Sequence, residues 1–308
     1  MKNKTLVFTK PSVVCTLALI SCLLWGSAFP CVKIGYSLFK ISPSDTGSQL
    51  AFAGMRFTLA GIMAILTASV IRKQFVHPKK ETVKYVIKLG CVQTFLQYLL
   101  FYIGLAHTTG IKSSILDASN VFVAILISSL IFKYEKLSTK KLLGCAAGFA
   151  GVILINLGDG GISGGFSLNG EGAIFMSTVA YALSSVLVKK YSDYEDTLVL
   201  SGYQFLFGGI LLTFIGLIFG GAFPYFSFSS VLLLIYMGFI SACAYSLWGI
   251  LLKYNTVGKV TIYSFSTPVF GVFLSALILN ENKAFGLTTL ISLALVCVGI
   301  ILVNRSKD

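Results

Sequence analysis

The chain has 308 residues, of which 56% are hydrophobic and only 11% charged, and its mean hydropathy is +0.87. A soluble domain carries about 25% charged residues, and a chain of this length could not wrap so large an apolar fraction in so little polar surface. The composition therefore excludes a soluble globular protein; the net charge of +13 reads as a bias of membrane loops, with no nucleic-acid partner expected.

Ten apolar runs follow one another: 13–33, 49–71, 84–105, 111–132, 140–157, 171–188, 198–219, 229–252, 260–280 and 285–304. Each is close to the length that spans a bilayer core, so the expected fold is an all-α integral membrane protein of ten transmembrane helices. The first run mimics a secretory signal, with Lys2 and Lys4 before it and Gly26-Ser27-Ala28 near its end. Its apolar character continues past Pro30, which favours a first spanning helix over a cleaved leader. With the N-terminus inside, nineteen of the 24 basic residues fall on the inner side and only Lys33, Lys40, Lys112 and Lys283 on the outer, leaving Arg56 within a helix. This asymmetry predicts a multi-pass protein of the cytoplasmic membrane with both termini in the cytoplasm.

The chain also repeats itself. Shifted by 148 residues, Gly90–Asn156 lies over Gly238–Asn304 without a gap, and Gly54-Met55-Arg56-Phe57 lies over Gly202-Tyr203-Gln204-Phe205. The first helix matches the sixth at a shift of 156, with Trp25 over Tyr181 and Lys33 over Lys189. Five helices per half is an odd number, so the halves should enter the membrane from opposite sides as an inverted repeat. The expected division is a first repeat at 1–157, an extracellular linker at 158–170 and a second repeat at 171–308. Inverted repeats are typical of secondary transporters, which bind substrate near the midplane between the repeats.

Several short motifs now fall into order. Leu24-Trp25-Gly26-Ser27-Ala28-Phe29 with Lys33 opens the chain, and Met55-Arg56-Phe57 follows in the second helix. Glu135 and Glu281 stand just past the fourth and ninth helices, and Ser266-Thr267-Pro268-Val269-Phe270 lies within the ninth. Together, over the whole chain, these resemble the EamA family of the drug/metabolite transporter superfamily. The resemblance implies a ten-helix transporter of small metabolites, often an exporter, with a central cavity lined mainly by helices 1, 3, 4, 6, 8 and 9. The chain departs from its own repeat in helix 4, where Asn120 stands opposite Pro268.

Asp117 is the sharpest candidate, because a carboxylate within a spanning helix costs a few kcal/mol (about 2.5–3.5) and usually faces a cavity or a partner. Ser113, Asp117 and Asn120, spaced four and three apart, would share one helical face. The repeat mate of Asp117 is Phe265, so the halves differ in charge here. Asp117 is expected to bind a cationic or hydrogen-bond-donating group or to take up a coupling proton; the structural alternative is a partner for a hydroxyl, an amide or Lys112. In helix 3, Gln93, Gln97 and Tyr98 suit a small planar or amphipathic ligand, and Tyr245 and Trp248 occupy the corresponding stripe of helix 8. Interhelical hydrogen bonding is the competing use of such polar groups. Trp25 and Tyr181, matched across the repeat, are candidate cavity walls. Arg56, whose mate is Gln204, reads as a structural anchor with carboxylate binding as the alternative, and Pro30 and Pro268 as points where helices kink or end.

The seven cysteines lie singly within apolar runs and the two histidines are too few for a histidine-based metal site, so no metal and no cofactor is expected. Gly158-Asp159-Gly160-Gly161-Ile162-Ser163-Gly164-Gly165 lacks the GK[ST] ending of a phosphate loop and reads as the linker. The expected function is a secondary transporter exporting a small amphipathic metabolite (amino acid, amine or nucleobase-like) by alternating access, with protons as the candidate coupling ion. Partners are then the small-molecule substrate and the bilayer, with the oligomeric state left open. A membrane-embedded enzyme or a non-transporting scaffold is the competing class.

Overall fold

The computed structural model describes residues 7–131, 138–157, 166–222, 226–255, 260, 262–280 and 286–304, which are helical apart from short connections, with no strand among them. Glu135, Glu281 and the glycine-rich stretch 158–165 lie outside the described residues. Each apolar run corresponds to one helical segment. They are α1 (Pro11–Leu38), α2 (Thr46–Arg72), α3 (Lys80–Ala106), α4 (Gly110–Ile131) and α5 (Thr139–Leu157). Then follow α6 (Ala173–Tyr191, entered through a π turn at Leu168–Gly172), α7 (Thr197–Ile218), α8 (Phe228–Tyr254), α9 (Ser266–Leu279, entered through a tight turn at Ile262–Phe265) and α10 (Leu287–Asn304). Seven of them, α1–α4 and α6–α8, are long and apolar enough to cross a membrane, while α9 and α10 are apolar but shorter.

The helix ends carry their own local chemistry. Pro11 opens α1, where its missing N–H costs nothing. Asp45 caps α2 by accepting from Ser48 N at 2.9 Å, Thr109 caps α4 from Lys112 N at 3.1 Å, and Asp196 caps α7 from Leu198 N at 3.0 Å. Ser227 and Ser230 form a reciprocal capping box at the start of α8. Such caps satisfy the amides that an apolar solvent cannot. Pro30 does not end α1, which runs on to Leu38; Pro268 sits in the first turn of α9, where a proline is tolerated.

Hydrophobicity cannot choose helix partners inside a lipid, because the tails are as apolar as leucine; close packing does so instead. The α2–α7 contact is built on glycines spaced seven apart on both helices. Gly47, Gly54 and Gly61 meet Gly216, Gly209 and Gly202 in antiparallel order. A methyl group on Gly61 would stand 2.5 Å from Leu206 N and 2.8 Å from Gly202 O, so only glycine allows the two backbones this close. α5 and α10 meet in the same manner, a methyl on Gly144 falling 2.7 Å from Gly299 O.

The principal pairings are α2 with α7, α5 with α10, α1 with α8 and α9, α6 with α3 and α4, α8 with α2, α7 with α3, and α4 with α9. This set is unchanged when α1–α5 are exchanged with α6–α10. The detail follows the 148-residue shift: a side chain on Gly90 would strike Phe207, and one on its mate Gly238 would strike Leu59, the mate of Phe207.

Two buried glutamates tie α6 to both ends of α3. Glu171, at the start of α6, accepts from Thr108 Oγ1 at 2.6 Å and from Ser167 N at 2.8 Å, and lies 3.7 Å from Lys112 Nζ. Glu195, just past α6, accepts from Lys79 N at 2.9 Å, Thr82 Oγ1 at 2.6 Å and Asp196 N at 3.0 Å. α1 is held to α8 in a comparable way: Asn255 Nδ2 donates to Phe8 O at 2.9 Å, and at the other end Phe39 meets Phe226 edge-on at 5.9 Å.

Candidate functional site

α4 is not one continuous helix. Its first stretch, Gly110–Asp117, stops at Asp117; Ala118 and Ser119 form a turn, and helix resumes at Asn120. Asp117, Ser119 and Asn120, within four residues, offer the backbone competing hydrogen-bond partners, which weakens the helix locally. The turn is anchored to α6 by Ser119 Oγ and Thr178 Oγ1, 3.3 Å apart. The tight turn before α9 ends at Phe265, the repeat mate of Asp117. Irregular backbone at membrane depth is tolerated where it is shielded by protein or lines a cavity. Ser113 is fully buried in helix packing, whereas Asp117 and Asn120 are half-buried.

Around Asp117 stand three tyrosines from three other helices. Tyr98 of α3, Tyr181 of α6 and Tyr245 of α8 all lie within electrostatic reach of its carboxyl group. Trp25 of α1 meets Tyr245 edge-on at 5.5 Å and tilts against Trp248 at 5.2 Å. Phe205 of α7 closes on Tyr245 at 5.0 Å and on Phe57 at 5.5 Å, and Phe57 packs on Tyr98 at 4.0 Å. Asp117, Tyr98, Tyr181, Tyr245, Trp25 and Trp248 keep part of their surface open although they meet side chains of several helices. The arrangement is an acidic group in a box of aromatic rings and phenolic hydroxyls.

Arg56 stands beside this box, 3% exposed. Its guanidinium donates to Tyr102 Oη at 3.0 Å, Ser241 Oγ at 3.2 Å and the Met237 carbonyl at 3.3 Å. It thereby links α2 to α3 and α8. The Tyr102 carbonyl in turn accepts from Tyr36 Oη at 2.6 Å, which brings in α1. The mate, Gln204, is also buried and reaches across to Thr94 of α3, which donates to its Oε1.

Not every expected residue joins the box. Gln93 and Gln97 are buried in helix packing at 4% and 5% exposure, the former inside a π turn of α3, and Gln97 Oε1 has no hydrogen-bond partner. Pro268 is buried and offers its carbonyl to Ser114 Oγ at 3.3 Å, holding α9 against α4. Phe265 is half-buried against the main apolar core. Lys112, considered above as a partner for Asp117, lies by Glu171. Glu171 and Glu195 carry no sequence signal of their own, since a glutamate at the end of an apolar run reads as solvated. Among the described residues, no group of three or more His, Cys, Asp or Glu is placed to hold a metal ion.

Long apolar helices, broken backbone at depth and a charged aromatic site define a multi-pass membrane protein. Residues 12–157 and 168–305 each match the EamA-like transporter family, so the chain belongs to that family and is a membrane transporter. It is 28% identical over 244 residues to the uncharacterized transporter YetK of Bacillus subtilis (strain 168), covering 76% of this chain and 72% of that protein. It is also 28% identical over 285 residues to a probable amino-acid metabolite efflux pump of Escherichia coli (strain K12), covering 86% and 87% of the two chains. A crystal structure at 19% identity shares the fold with a TM-score of 0.66, covering 94% of this chain and 96% of the other.

Proposed function

We propose that the protein is a secondary transporter that exports a small amphipathic metabolite across the cytoplasmic membrane, with Asp117 as the group that binds substrate or a coupling proton. The observation that carries this reading is the placement of a half-buried Asp117 at the end of a helical stretch, within electrostatic reach of tyrosines on α3, α6 and α8. A half-open carboxyl group among phenol hydroxyls and aromatic faces suits an NH-bearing or cationic group on a compact apolar body: an amino acid, an amine or a nucleobase-like compound.

The two family matches and the exchangeable helix pairings support reading the chain as ten spanning helices in two inverted repeats. On that reading 1–157 and 171–308 are the repeats, and α9 and α10 complete the spans. The printed description of the Escherichia coli relative as an amino-acid metabolite efflux pump agrees with the direction and with one of the substrate classes. Trp25, Trp248 and Phe265 then serve as walls, Asn120 as polar lining, and Arg56 and Pro268 as structural supports.

The test is transport in proteoliposomes under an imposed pH gradient. Asp117→Asn is expected to reduce substrate flux at least about tenfold, the effect of losing ~1.4 kcal/mol of binding, while insertion and folding stay normal. Unchanged flux in that variant would remove Asp117 from the mechanism. Flux indifferent to the gradient in the wild type would remove proton coupling and leave facilitated diffusion.

A further inference from the structure

We propose that an aromatic seal between α1 and α3, centred on Tyr102 and held shut by a hydrogen bond from Tyr36, closes one end of the bundle and has no counterpart at the other. The closed end is the one that carries Ser44, the outer end on the threading given above. The proposal goes beyond that function and rests on its two inverted repeats.

Trp25 of α1 and Tyr98 of α3 are half-open side chains. One helical turn further along each helix the surface is gone: Phe29 is 3% exposed and Tyr102 0%. Phe29 meets Phe101 at 5.8 Å, and Tyr36 meets Tyr102 at 6.2 Å and Phe52 at 6.1 Å. Tyr98 meets Phe101 at 6.0 Å and Tyr102 at 6.5 Å, so rings continue from the box into the seal. Two hydrogen bonds converge on Tyr102. Its carbonyl accepts from Tyr36 Oη of α1 at 2.6 Å, and its hydroxyl accepts from Arg56 of α2 at 3.0 Å. Arg56 also donates to Met237 O and Ser241 Oγ, which draws α8 to the same point.

These contacts cross between two helix pairs, each tied at both ends. Glu171 and Glu195 tie α6 to α3, and Asn255 and Phe226 tie α8 to the chain of α1. Opening the Ser44 end therefore means parting α1 from α3. The equivalent parting at the other end is of α6 from α8. There the mates of Phe29 and Tyr36 are Ser185 and Ser192, and those of Phe101 and Tyr102 are Gly249 and Ile250. Ser185 is half-buried and Ser192 exposed. Gln204, in place of Arg56, bonds to Thr94 of α3 instead. This second set has no ring and no phenol hydroxyl, so the repeat cannot build the same seal twice. Ring packing and interhelical hydrogen bonds thus favour closure at the Ser44 end.

The test uses the full chain with its seven native cysteines replaced and one cysteine placed at Asn120. That position lies about 15 Å into α4, whereas Tyr102 lies about 6 Å from the same end of α3. Labelling by an impermeant thiol reagent is followed in vesicles exposing the Ser44 face and in vesicles of the opposite orientation. The parent should react slowly from the Ser44 face and faster from the other. Tyr36→Phe keeps the ring, and loss of its hydrogen bond should raise the Ser44-face rate about three- to tenfold. Tyr102→Phe, which removes an acceptor of Arg56, should raise the same rate. Ser192→Ala, at the mate position of Tyr36, should leave both rates unchanged. Each variant is checked for a parent-like unfolding temperature in detergent. Equal Ser44-face rates in the parent and Tyr36→Phe, or a parent that reacts faster from that face, would overturn the seal and leave the central site standing. A cysteine at Asn120 that reacts from neither face in any variant would overturn both.

Discussion

Asp117 and Glu195 show how the same functional group is handled in two settings. Asp117 is left half-open and surrounded by hydroxyls, whereas the Glu195 carboxylate is saturated by the Lys79 and Asp196 amides and the Thr82 hydroxyl. Glu195 lies in a connection outside the spanning segments. Burial there acts to raise its pKa, but the Thr82 hydroxyl, the two amides and the nearby Lys79 charge outweigh it and hold the carboxyl below the usual range. A carboxylate with a depressed folded value stabilises the protein above its unfolded pKa of about 4.3 and loses that contribution as pH falls through the folded value. Thermal unfolding in detergent should therefore show a loss of stability below about pH 4 that Glu195→Gln flattens. The same variant should lower stability at neutral pH by about 1–2 kcal/mol, because the donors lose an ionised acceptor. A wild-type profile that is already flat would remove Glu195 from the connection between α3 and α6.

At the scale of the elements, glycine positions decide which helices touch. Gly54, Gly61, Gly202 and Gly209 lie on one contact line, and a methyl group added at Gly61 would meet backbone atoms of α7 that have no flexible end to move. Gly61→Ala is expected to destabilise the α2–α7 contact by about 1–3 kcal/mol, read as a lower unfolding temperature in detergent. The matching control is Gly286→Ala, where an added methyl meets nothing within 4 Å. Equal effects of the two changes would mean that the glycine contact is not what joins these helices. Elements also differ in how well their bounds could be anticipated. The run 84–105 is helical, yet the helix begins at Lys80 and contains a π turn over Gly90–Leu96, because π turns and caps depend on packing and on side-chain hydrogen bonds that hydropathy does not encode.

For the molecule as a whole, the charge asymmetry sets an expected orientation, and it yields a prediction independent of the site. With the N-terminus in the cytoplasm, a single cysteine placed at Lys80 should react with an impermeant thiol reagent only in inverted vesicles. One placed at Ser44 should react only in right-side-out vesicles; both positions are exposed. The seven native cysteines would be replaced first. Labelling of the two positions from the same side would overturn the threading. The apolar runs that form the helices were legible in the chain, as were the half-buried aromatic residues Tyr98, Tyr181, Tyr245 and Trp25 within them. The roles of Phe57 and Phe205 as neighbours of Tyr98 and Tyr245, the burial of Gln97 in helix packing, and the pairing of Lys112 with Glu171 were not.

That division has a physical origin. In lipid every backbone amide must be satisfied within its own segment, so a run of about 20 apolar residues has one outcome, and a sequence by itself locates such runs along the chain. The same sequence leaves open how far each helix rotates about its axis, since lipid-facing and protein-facing apolar residues look alike. Glycine contacts, the break after Asp117 and buried hydrogen bonds settle those rotations, and each joins residues far apart in the chain. Tertiary structure alone therefore decided that Trp25, Phe57 and Phe205 close around Tyr98 and Tyr245, and that Arg56 is held by neutral partners.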